Sequence, residues 1–496
     1  MAGIGFRLKE LLVEDTYSSN FKAFLYSAII SSGPWLLTIL CLSLLGILSP
    51  IFLSQNEWTG EQADLFGVTV VYIFAFSLIV TGPISMLISR FVADKIYFNE
   101  QETISSTYAT LLLFVVLLQG VLGSVFFSIT SKDIFYTVTS LTLYVTISCI
   151  WISLIFLSIC EKYNNIILIF SIGSLVSVAA ALLGGKLFGI SGYISGFTIG
   201  QLIILFGFTH ELFSMFGIPR NMSLDFLSYV RKFFEIALIG LLYNMAIWVD
   251  KFTFWFSSPG ENISGLFYAY GEYDFPIFLA YITIVPALAI FLLNIETGFY
   301  QEYKAFYESI MKKKSFGEIH RRKMKMQATL FRSLRELLNY QAIITIVVIY
   351  FGKEILHGLQ VESLLSIQIF RYTALGTFFH AYVLIITIIL LYFDLRREVL
   401  IIVFIFAGSN FLLTTLSIHL GPDYYGLGQA VSCFLTFLIS FVVLIIRLRQ
   451  LEFLTFSKQP IAGSKKDTKE RRARPGGGYG AYVNLQEARE AFRSGK

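Results

Sequence analysis

The stretch AFLYSAIISSGPWLLTILCLSLLGILSPIFL, residues 23–53, carries no charged side chain. A second run, YTALGTFFHAYVLIITIILLYF at residues 372–393, contains no Asp, Glu, Lys or Arg. A helix needs about 20 mostly apolar residues to cross the hydrocarbon core of a bilayer, and both runs are long enough. Their apolar residues are continuous rather than alternating, unlike the strands of a membrane β-barrel. Both runs therefore predict membrane-spanning helices, which satisfy their backbone hydrogen bonds internally.

The composition extends this prediction to the whole chain. Only 14% of the 496 residues are charged and 56% are hydrophobic, whereas about 25% are charged in an ordinary soluble domain. Apolar runs of about 20 residues recur along the sequence. They predict twelve spans, near residues 23–52, 66–92, 106–130, 134–158, 164–184, 188–209, 233–256, 275–297, 338–356, 366–393, 399–418 and 424–446. The predicted fold class is an all-α integral membrane protein with about twelve transmembrane helices.

The connecting segments differ in charge, which predicts the orientation of the chain. Lys and Arg accumulate in the cytoplasmic loops of membrane proteins. The segments before span one and after every even-numbered span carry most of them, while the alternate segments contain only Lys132, Lys186 and Lys353. Twelve spans with this asymmetry predict a multi-pass membrane protein with both termini in the cytoplasm. The polar N-terminus lacks the short apolar core of a signal peptide, so no cleavage is expected.

The spans predict two halves of six helices each. We expect a cytoplasmic segment at 1–22, an N-terminal six-helix bundle at 23–216 and a C-terminal six-helix bundle at 217–450. The residues at 457–496 are charged and glycine-rich. They predict a disordered cytoplasmic tail or a sequence added to the native chain.

Prolines interrupt three of the predicted spans. Pro34, Pro83 and Pro286 each remove an intrahelical hydrogen bond and are candidate helix kinks. Pro83 precedes Tyr97 by the same interval that separates Pro286 from Tyr300. This correspondence is a weak sign of duplication, and halves with an even number of spans would be parallel repeats.

One cytoplasmic connection, 298–337, is long enough to hold structure of its own. Its mixture of charged and apolar residues predicts helices lying along the membrane surface. The basic side chains that it exposes are candidate partner-docking residues, or anchors that fix topology: Lys312, Lys313, Lys314, Arg321, Arg322 and Lys323.

Motifs for covalent chemistry are absent from the sequence. There is no GxxxxGK[ST] phosphate-binding loop, and the acidic residues of the basic loop do not form a DxD-like cluster of the kind that a glycosyltransferase would use. The histidines and cysteines are scattered without ligand spacing: His210, His320, His357, His380, His419, Cys41, Cys149, Cys160 and Cys433. We therefore expect no enzyme activity, no cofactor, no metal and no nucleic-acid partner.

The predicted spans contain ionisable residues, among them Asp250, Lys251, Arg371 and His380. An ionisable group at bilayer depth costs about 2.5–3.5 kcal/mol, so each one needs a reason. Asp250 and Lys251 are adjacent in span seven and should point about 100° apart, so at least one is expected to have a partner on another helix. We expect Asp250 and Arg371 to face a bundle interior or an aqueous cavity. Lys251 is expected to form a structural ion pair or reach the interface, and His380 to be a hydrogen-bonded packing residue.

Aromatic residues concentrate around spans seven and eight. Their rings could receive the faces of sugars, or they could belong to an interfacial belt. The cluster consists of Tyr243, Trp248, Trp255, Tyr268, Tyr270 and Tyr273.

Three stretches of the sequence resemble one family. MAGIGFRLKELL at 1–12, YSAIISSGPWLLTI at 26–39 and YNMAIWVDKFTFWF at 243–256 resemble the PelG family, the inner-membrane transporter of the Pel exopolysaccharide system that builds biofilm. The resemblance covers roughly residues 1–458, and the sequence after about residue 460 departs from it.

The resemblance implies a fold and partners that the residues alone do not. It implies the multidrug/oligosaccharidyl-lipid/polysaccharide (MOP) flippase superfamily, with two six-helix bundles around a central cavity. The implied partners are membrane lipid, an N-acetylgalactosamine-rich polymer, the cytoplasmic glycosyltransferase that makes it, and membrane proteins that respond to cyclic di-GMP.

Three functions remain as hypotheses at this point. The first is export of the Pel polysaccharide through a central cavity. The second is an ion-coupled antiporter of small solutes in the same superfamily, which would need a carboxylate deep in spans one to six, where the sequence offers no convincing candidate. The third is a scaffold that holds a polysaccharide synthase at the membrane without conducting anything.

Overall fold

The computed structural model describes residues 17–53, 59–97, 100, 102–130, 133–160, 162–219 and 221–457. Most of the predicted N-terminal segment 1–22 and nearly all of the tail 457–496 lie outside these residues, so the predictions made for them stay predictions.

Helices form nearly all of the described chain, which confirms the predicted all-α fold class. In chain order the helices are α1 Tyr17–Phe52, α2 Gly60–Tyr97, α3 Glu102–Thr130, α4 Ile134–Ile159, α5 Tyr163–Phe216, α6 Phe226–Lys232, α7 Phe234–Trp255, α8 Gly271–Ile282, α9 Val285–Asn294, α10 Tyr300–Met311, α11 Phe316–Tyr350, α12 Gly352–Gly358, α13 Leu364–Tyr392, α14 Arg396–Leu420, α15 Leu427–Arg449 and α16 Leu451–Ser457. A π-helical turn, Ile295–Phe299, joins α9 to α10. An antiparallel hairpin that the sequence did not predict lies between α7 and α8, formed by β1 Glu261–Ser264 and β2 Phe267–Ala269.

The described helices account for the predicted spans. Ten helical segments of the described chain, one of them the run Gly271–Met311 from α8 to α10, are long and apolar enough to cross a membrane. The pair of α11 and α12, bent by 64°, gives an eleventh crossing if it is one span. Helix α5 has 54 residues, more than twice the length that one crossing needs. Its backbone leaves helical geometry at Phe188 and Gly189, where the glycine has a φ of +60° that a residue without a Cβ adopts readily. The predicted spans 164–184 and 188–209 lie on either side of this break.

The two halves of α5 fold back on each other along small residues. A Cβ atom on Gly196 would overlap the carbonyl group of Ala180. The hydroxyl of Ser177 donates to the carbonyl oxygen of Phe197 at 3.1 Å, and the amide of Gln201 donates to Ser177 Oγ at 3.1 Å. In lipid, helices associate through such close packing and interhelical hydrogen bonds, because apolar contact alone gives little advantage over lipid. Helix α5 is therefore a helical hairpin.

Residue contacts group the chain into two compact units. Of the described residues, the α7 unit comprises those within 32–95 and 100–274, and the α13 unit comprises 17–31, 96–97 and 275–457. The sequence predicts a boundary between residues 216 and 217, whereas contacts place α7 with the preceding helices. The division into two bundles of six helices stays a prediction.

Within the α7 unit, α2 and α7 cross at two glycines. A Cβ atom on Gly82 would lie 2.7 Å from the carbonyl oxygen of Gly240, and a Cβ atom on Gly240 would overlap the carbonyl group of Gly82. The amide of Asn244 donates to the Gly240 carbonyl oxygen at 2.9 Å, one turn further along α7. The closeness of the two backbones requires glycine on both helices.

Contacts between connecting segments agree with the predicted alternation of sides. Tyr229, between spans six and seven, donates its hydroxyl to Asp94 Oδ2 at the end of span two, at 3.0 Å. A Cβ atom on Gly265, in the hairpin between spans seven and eight, would overlap the carbonyl group of Thr130 at the end of span three. Each pair joins segments that the charge pattern predicts to lie on one side of the membrane.

In the α13 unit, predicted span eight is broken. Helix α8 ends at Ile282 and α9 begins at Val285. Pro286 lies in the first turn of α9 and has no N–H to donate to the preceding turn. The side chain of Gln341, which is fully buried, donates instead to the carbonyl oxygen of Thr283 at 2.9 Å. A side chain from α11 thus replaces a backbone donor at the break.

The other two predicted kinks and the long loop differ from this pattern. Helices α1 and α2 continue through Pro34 and Pro83.

The predicted loop 298–337 is helical in α10 and α11, but α11 runs without interruption into predicted span nine. The expectation of separate surface helices is therefore wrong for the second half of this loop, which extends the span.

Replacing Gly196 with alanine should destabilise the α5 hairpin, because the added Cβ would overlap the Ala180 carbonyl group. Overpacking of this kind typically costs about 1–3 kcal/mol. Thermal unfolding of the detergent-solubilised protein, followed by size-exclusion chromatography, measures the effect. Gly120→Ala is the control, because nothing lies within 4 Å of a Cβ at Gly120. Equal unfolding temperatures for the two variants would contradict the packing.

Candidate functional site

Asp250 is the most deeply placed of the predicted site residues. It lies in the last turns of α7 and is 0% exposed. The hydroxyl of Tyr273, from the first turn of α8, donates to Asp250 Oδ2 at 2.7 Å. The ammonium group of Lys251 lies 3.4 Å from the same carboxylate. One uncharged donor and one cation therefore compensate the buried carboxylate.

Lys251 is nearly as buried, with 8% of its surface exposed. Its ammonium donates to the carbonyl oxygen of Ile247, one turn back on α7, at 3.0 Å. It also lies 5.5 Å from the centre of the Trp248 ring, within the range of a cation–π contact. The Lys251 side chain therefore folds back along its own helix, which brings its charge to Asp250.

The sequence expectation for this pair was half right. Adjacent helical residues leave the backbone about 100° apart, and from this we expected no direct neutralisation. That expectation is wrong, because the long lysine side chain covers the angle. The expected partner on another helix is present, and it is Tyr273.

Asp274 is a second carboxylate beside this pair, and sequence reasoning missed it. Its Oδ2 accepts from the indole nitrogen of Trp255 at 2.8 Å and from the backbone nitrogen of Tyr270 at 3.1 Å. Its electrostatic neighbours include Asp250 and Lys251. A carboxylate at the start of a helix is usually a surface residue that favours the helix dipole, and its proximity to α7 depends on the tertiary fold.

Aromatic rings pack around Trp255 in layers. The ring of Tyr72, from α2, stacks on Trp255 with centroids 4.8 Å apart and planes 11° apart. The ring of Tyr273 stacks on Phe254 at 4.0 Å. Trp255 is 1% exposed, so its faces contact protein rings rather than an open surface.

Tyr72 also holds the β-hairpin. Its hydroxyl donates to the carbonyl oxygen of Tyr268 and accepts from the backbone nitrogen of the same residue, both at 3.0 Å. A single side chain thus satisfies both backbone groups of Tyr268, on β2. Tyr72 could not be selected from the sequence, because its partner lies 196 residues away.

The remaining aromatic residues of the predicted cluster are less buried. Trp248 lies between Lys251 and Trp255, at 6.4 Å from the Trp255 ring. Tyr270 stacks on Phe254 at 5.8 Å. Tyr243 is half-buried on α7, two turns before Asp250. The structure therefore brings Asp250, Lys251, Trp248, Trp255 and Tyr270 together.

Arg371 and His380 belong to the α13 unit. Arg371 is exposed, and its Nε donates to the carbonyl oxygen of Ile349 at 3.2 Å, near the end of α11. An exposed guanidinium does not occupy a packed bundle interior, and the contact is that of a basic side chain capping a helix C-terminus. Placement in an aqueous cavity stays a prediction for Arg371. His380 is 2% exposed, and its ring meets Tyr281 edge-on at 5.5 Å.

The predicted docking residues separate into two groups. Lys323 is buried, and its ammonium lies 2.9 Å from Glu452 Oε2 on α16. His320 Nδ1 lies 2.8 Å from the other oxygen of Glu452. Burial would raise the pKa of Glu452, but the hydrogen bonds from Lys323 and His320 together hold this pKa below its ordinary value. Lys323 therefore joins α11 to α16.

The other basic residues of the loop lie at the surface. Lys312, Lys313, Lys314 and Arg321 are exposed, and Arg322 is half-buried. Lys312 pairs with a glutamate one turn away, a contact that stabilises a protein by about 0–1 kcal/mol when exposed. These side chains remain available to a partner.

A further buried carboxylate lies at the opposite end of the α7 unit. Asp94 is 2% exposed, and Arg90 Nε lies 3.4 Å from its Oδ1. Tyr229 completes the group through its hydrogen bond to Asp94. Burial and the Asp94 carboxylate raise the pKa of Tyr229, so the hydroxyl stays protonated and donates.

Comparison with solved structures identifies the fold. An outward-facing multidrug resistance MATE family transporter of the MOP superfamily matches with a TM-score of 0.60 and 13% sequence identity, over 86% of this chain and 96% of that chain. A MATE structure in complex with MaL6 matches with a TM-score of 0.62 and 13% identity, over 87% and 97% of the two chains. A MOP superfamily transporter from Pyrococcus furiosus gives a TM-score of 0.59 and 13% identity, over 86% and 96%. The fold is that of a multi-pass MOP-superfamily membrane transporter.

The family follows from the sequence. A search of curated proteins finds no match to this chain. The sequence model of the PelG family, described as "Putative exopolysaccharide Exporter (EPS-E)", matches residues 1–456. The chain therefore belongs to the PelG family, and the resemblance stated from three stretches of sequence is confirmed. Family and fold are those of a transporter and not of an enzyme, and they support the export or transport of polysaccharide.

Replacing Tyr273 with phenylalanine should destabilise the protein, because it removes the hydroxyl that donates to the buried Asp250 carboxylate. Leaving a buried charged acceptor without a partner costs about 1–3 kcal/mol. The matched control is Tyr270→Phe, because that hydroxyl donates to Glu272 at an exposed position and its ring also stacks on Phe254. Thermal unfolding in detergent measures both. A larger loss for Tyr270→Phe would contradict the assignment.

Proposed function

We propose that this chain exports the Pel exopolysaccharide, an N-acetylgalactosamine-rich polymer, across the bacterial inner membrane. The observation that carries the proposal is the match of the PelG family over residues 1–456. The family match supports a transporter of exopolysaccharide. The proposal adds the identity of the polymer, the membrane that it crosses and the path that it takes.

The charge of the connecting segments supports an orientation with both termini in the cytoplasm. Lys and Arg concentrate on one set of segments, and contacts such as Tyr229 with Asp94 join members of the same set. In this orientation the basic α10–α11 connection faces the cytoplasm, where the polymer is made. The β-hairpin faces the exterior.

The burial of the Asp250 site supports a positioning role in export. Asp250 is fully enclosed by α7 and α8, so its carboxylate does not touch a polymer in this conformation. An uncharged sugar chain gains nothing from a fixed carboxylate at long range. We infer that Asp250 and Lys251 fix the packing of α7 against α8. The half-buried rings of Trp248 and Tyr243 are the candidates for sugar contact on this helix.

The fold also supports a second candidate, an ion-coupled antiporter of small solutes. The structural neighbours include a multidrug resistance transporter. At 13% identity this likeness extends to the fold alone, and the family match favours the polymer. If the protein transported small solutes but no polymer, the antiporter function would be favoured over polymer export.

A vesicle assay tests export directly. Inside-out membrane vesicles carrying this protein and the partner glycosyltransferase should accumulate polymer in the lumen, where an added glycoside hydrolase cannot reach it. Vesicles without this protein should leave all polymer accessible. Polymer that stays outside in both preparations, although it is made at the same rate, would overturn the proposal.

In this assay Asp250→Asn should reduce lumenal polymer several-fold, because it removes the carboxylate that lies 3.4 Å from the buried Lys251 ammonium. Glu261→Gln is the control, since Glu261 is an exposed carboxylate on the nearby β1 strand. Protein levels are compared by immunoblot. Full export by Asp250→Asn would remove this residue from the mechanism, and loss of the protein itself would assign it to folding alone.

We propose that the glycosyltransferase or its cyclic di-GMP-responsive membrane partners dock on the exposed basic residues of the α10–α11 connection. The double variant Lys313→Glu, Arg321→Glu should lose copurifying partners while unfolding within about 0.5 kcal/mol of the wild type. Lys323→Gln is the contrasting variant, since it breaks the contact with Glu452 and should cost about 1–3 kcal/mol. Copurification that is unchanged in the double variant would exclude docking at this surface.

A further inference from the structure

The α7 unit holds two carboxylates and one ammonium in one group, in which Asp274 is half-buried and the other two residues are buried. Asp250 and Asp274 are the carboxylates and Lys251 is the ammonium. If both acids are ionised, the group carries one uncompensated negative charge. Low-dielectric surroundings penalise such a charge, and binding one proton removes it.

The hydrogen bonds indicate which acid takes the proton. Asp250 is paired on both sides, with the Tyr273 hydroxyl at Oδ2 and the Lys251 ammonium beside it. Asp274 receives its two donors, Trp255 and Tyr270, on Oδ2 alone. Its Oδ1 is buried and has no hydrogen-bond partner among the described residues. A proton on Oδ1 leaves both existing hydrogen bonds in place.

The other charged and titratable groups around Asp274 do not replace that proton. On α2, Tyr72 faces the cluster, and its hydroxyl is already bonded to the backbone of Tyr268 on β2. On α8, Glu272 is exposed and accepts from the Tyr270 hydroxyl. The nearby cation is Lys251, which contacts Asp250.

We propose that Asp274 is a proton-binding residue that takes up one proton at Oδ1 from the aqueous phase at the hairpin end of α7 and α8. Protonation neutralises the carboxylate that accepts from Trp255, and so weakens the clamp between α7 and the start of α8. A conformation that hydrates Asp274 favours release of the proton. Proton binding and helix packing are thereby linked, and each shifts the other.

This link supplies a way to couple transport to a proton gradient, which rests on the proposed function. In that scheme the driving ion is a proton and the coupling residue lies on α8. Asp250 and Lys251 act as positioning residues that place one charge of each sign near Asp274.

Tryptophan fluorescence of the purified protein in liposomes tests proton binding without requiring transport. Trp255 donates to Asp274 and should report its protonation. Lowering the pH from about 8 to about 5.5, a range above the ordinary pKa values of Asp and Glu, should give one reversible transition. Asp274→Asn should abolish the transition, and Glu272→Gln, an exposed carboxylate two residues away, should retain it.

Infrared spectroscopy is a second readout of protonation, and it does not depend on tryptophan fluorescence. Infrared difference spectra between these two pH values should contain a protonated-carboxyl component that is missing in Asp274→Asn and present in Trp255→Phe. A transition and a full band intensity that persist in Asp274→Asn would overturn the proposal, as would the absence of both from the wild type. In the vesicle assay a protonophore should reduce export by the wild type and leave the residual export of Asp274→Asn unchanged. Proton binding at Asp274 without any polymer export would refute the proposed function and leave the proton site standing.

Discussion

The lack of water around the membrane-spanning backbone is the constraint on which the rest of this structure depends. A helix satisfies it segment by segment, so difficulty arises only where a helix breaks. At the break in span eight, Pro286 cannot donate, and Gln341 supplies a side-chain amide to Thr283. At Gly189 the two halves of α5 reverse direction, and small residues let them pack closely enough for Ser177 to reach the backbone of Phe197. Breaks are therefore placed where another helix completes them.

The same constraint explains the buried charges of α7. An ion pair in hydrocarbon persists only if every charged atom has a partner. Lys251 meets this condition through its own helix, by donating to Ile247 and approaching Asp250, while Tyr273 comes from α8. Asp250 and Lys251 both lie on α7, and Tyr273 of α8 completes their contacts. Its integrity thus depends on the start of α8 more than on distant parts of the chain.

Much of the fold could be predicted from the sequence, because hydropathy and charge act along the chain. The many membrane spans, their all-α character and the family followed from the runs and stretches quoted at the outset, although the described part of the structure gives ten or eleven candidate spans rather than twelve. The candidate functional site could be predicted less completely. Asp250 was found because a carboxylate in an apolar run is conspicuous, whereas Asp274 and Tyr72 look ordinary in sequence and gain their roles from neighbours 19 and 196 residues away. The β-hairpin was missed because it depends on Tyr72 from α2.

The helical hairpin of α5 has a consequence for how the protein is made. Its interface joins residues only 20 positions apart, such as Ser177 and Phe197, so little chain entropy opposes its closure. The crossing of Gly82 with Gly240 requires α7, which is synthesised much later. Spans five and six are thus expected to enter the bilayer together as a preassembled helical hairpin. The exposed Lys186 lies near the turn of this hairpin. In the predicted orientation, insertion of both apolar helices together would take this side chain across the bilayer.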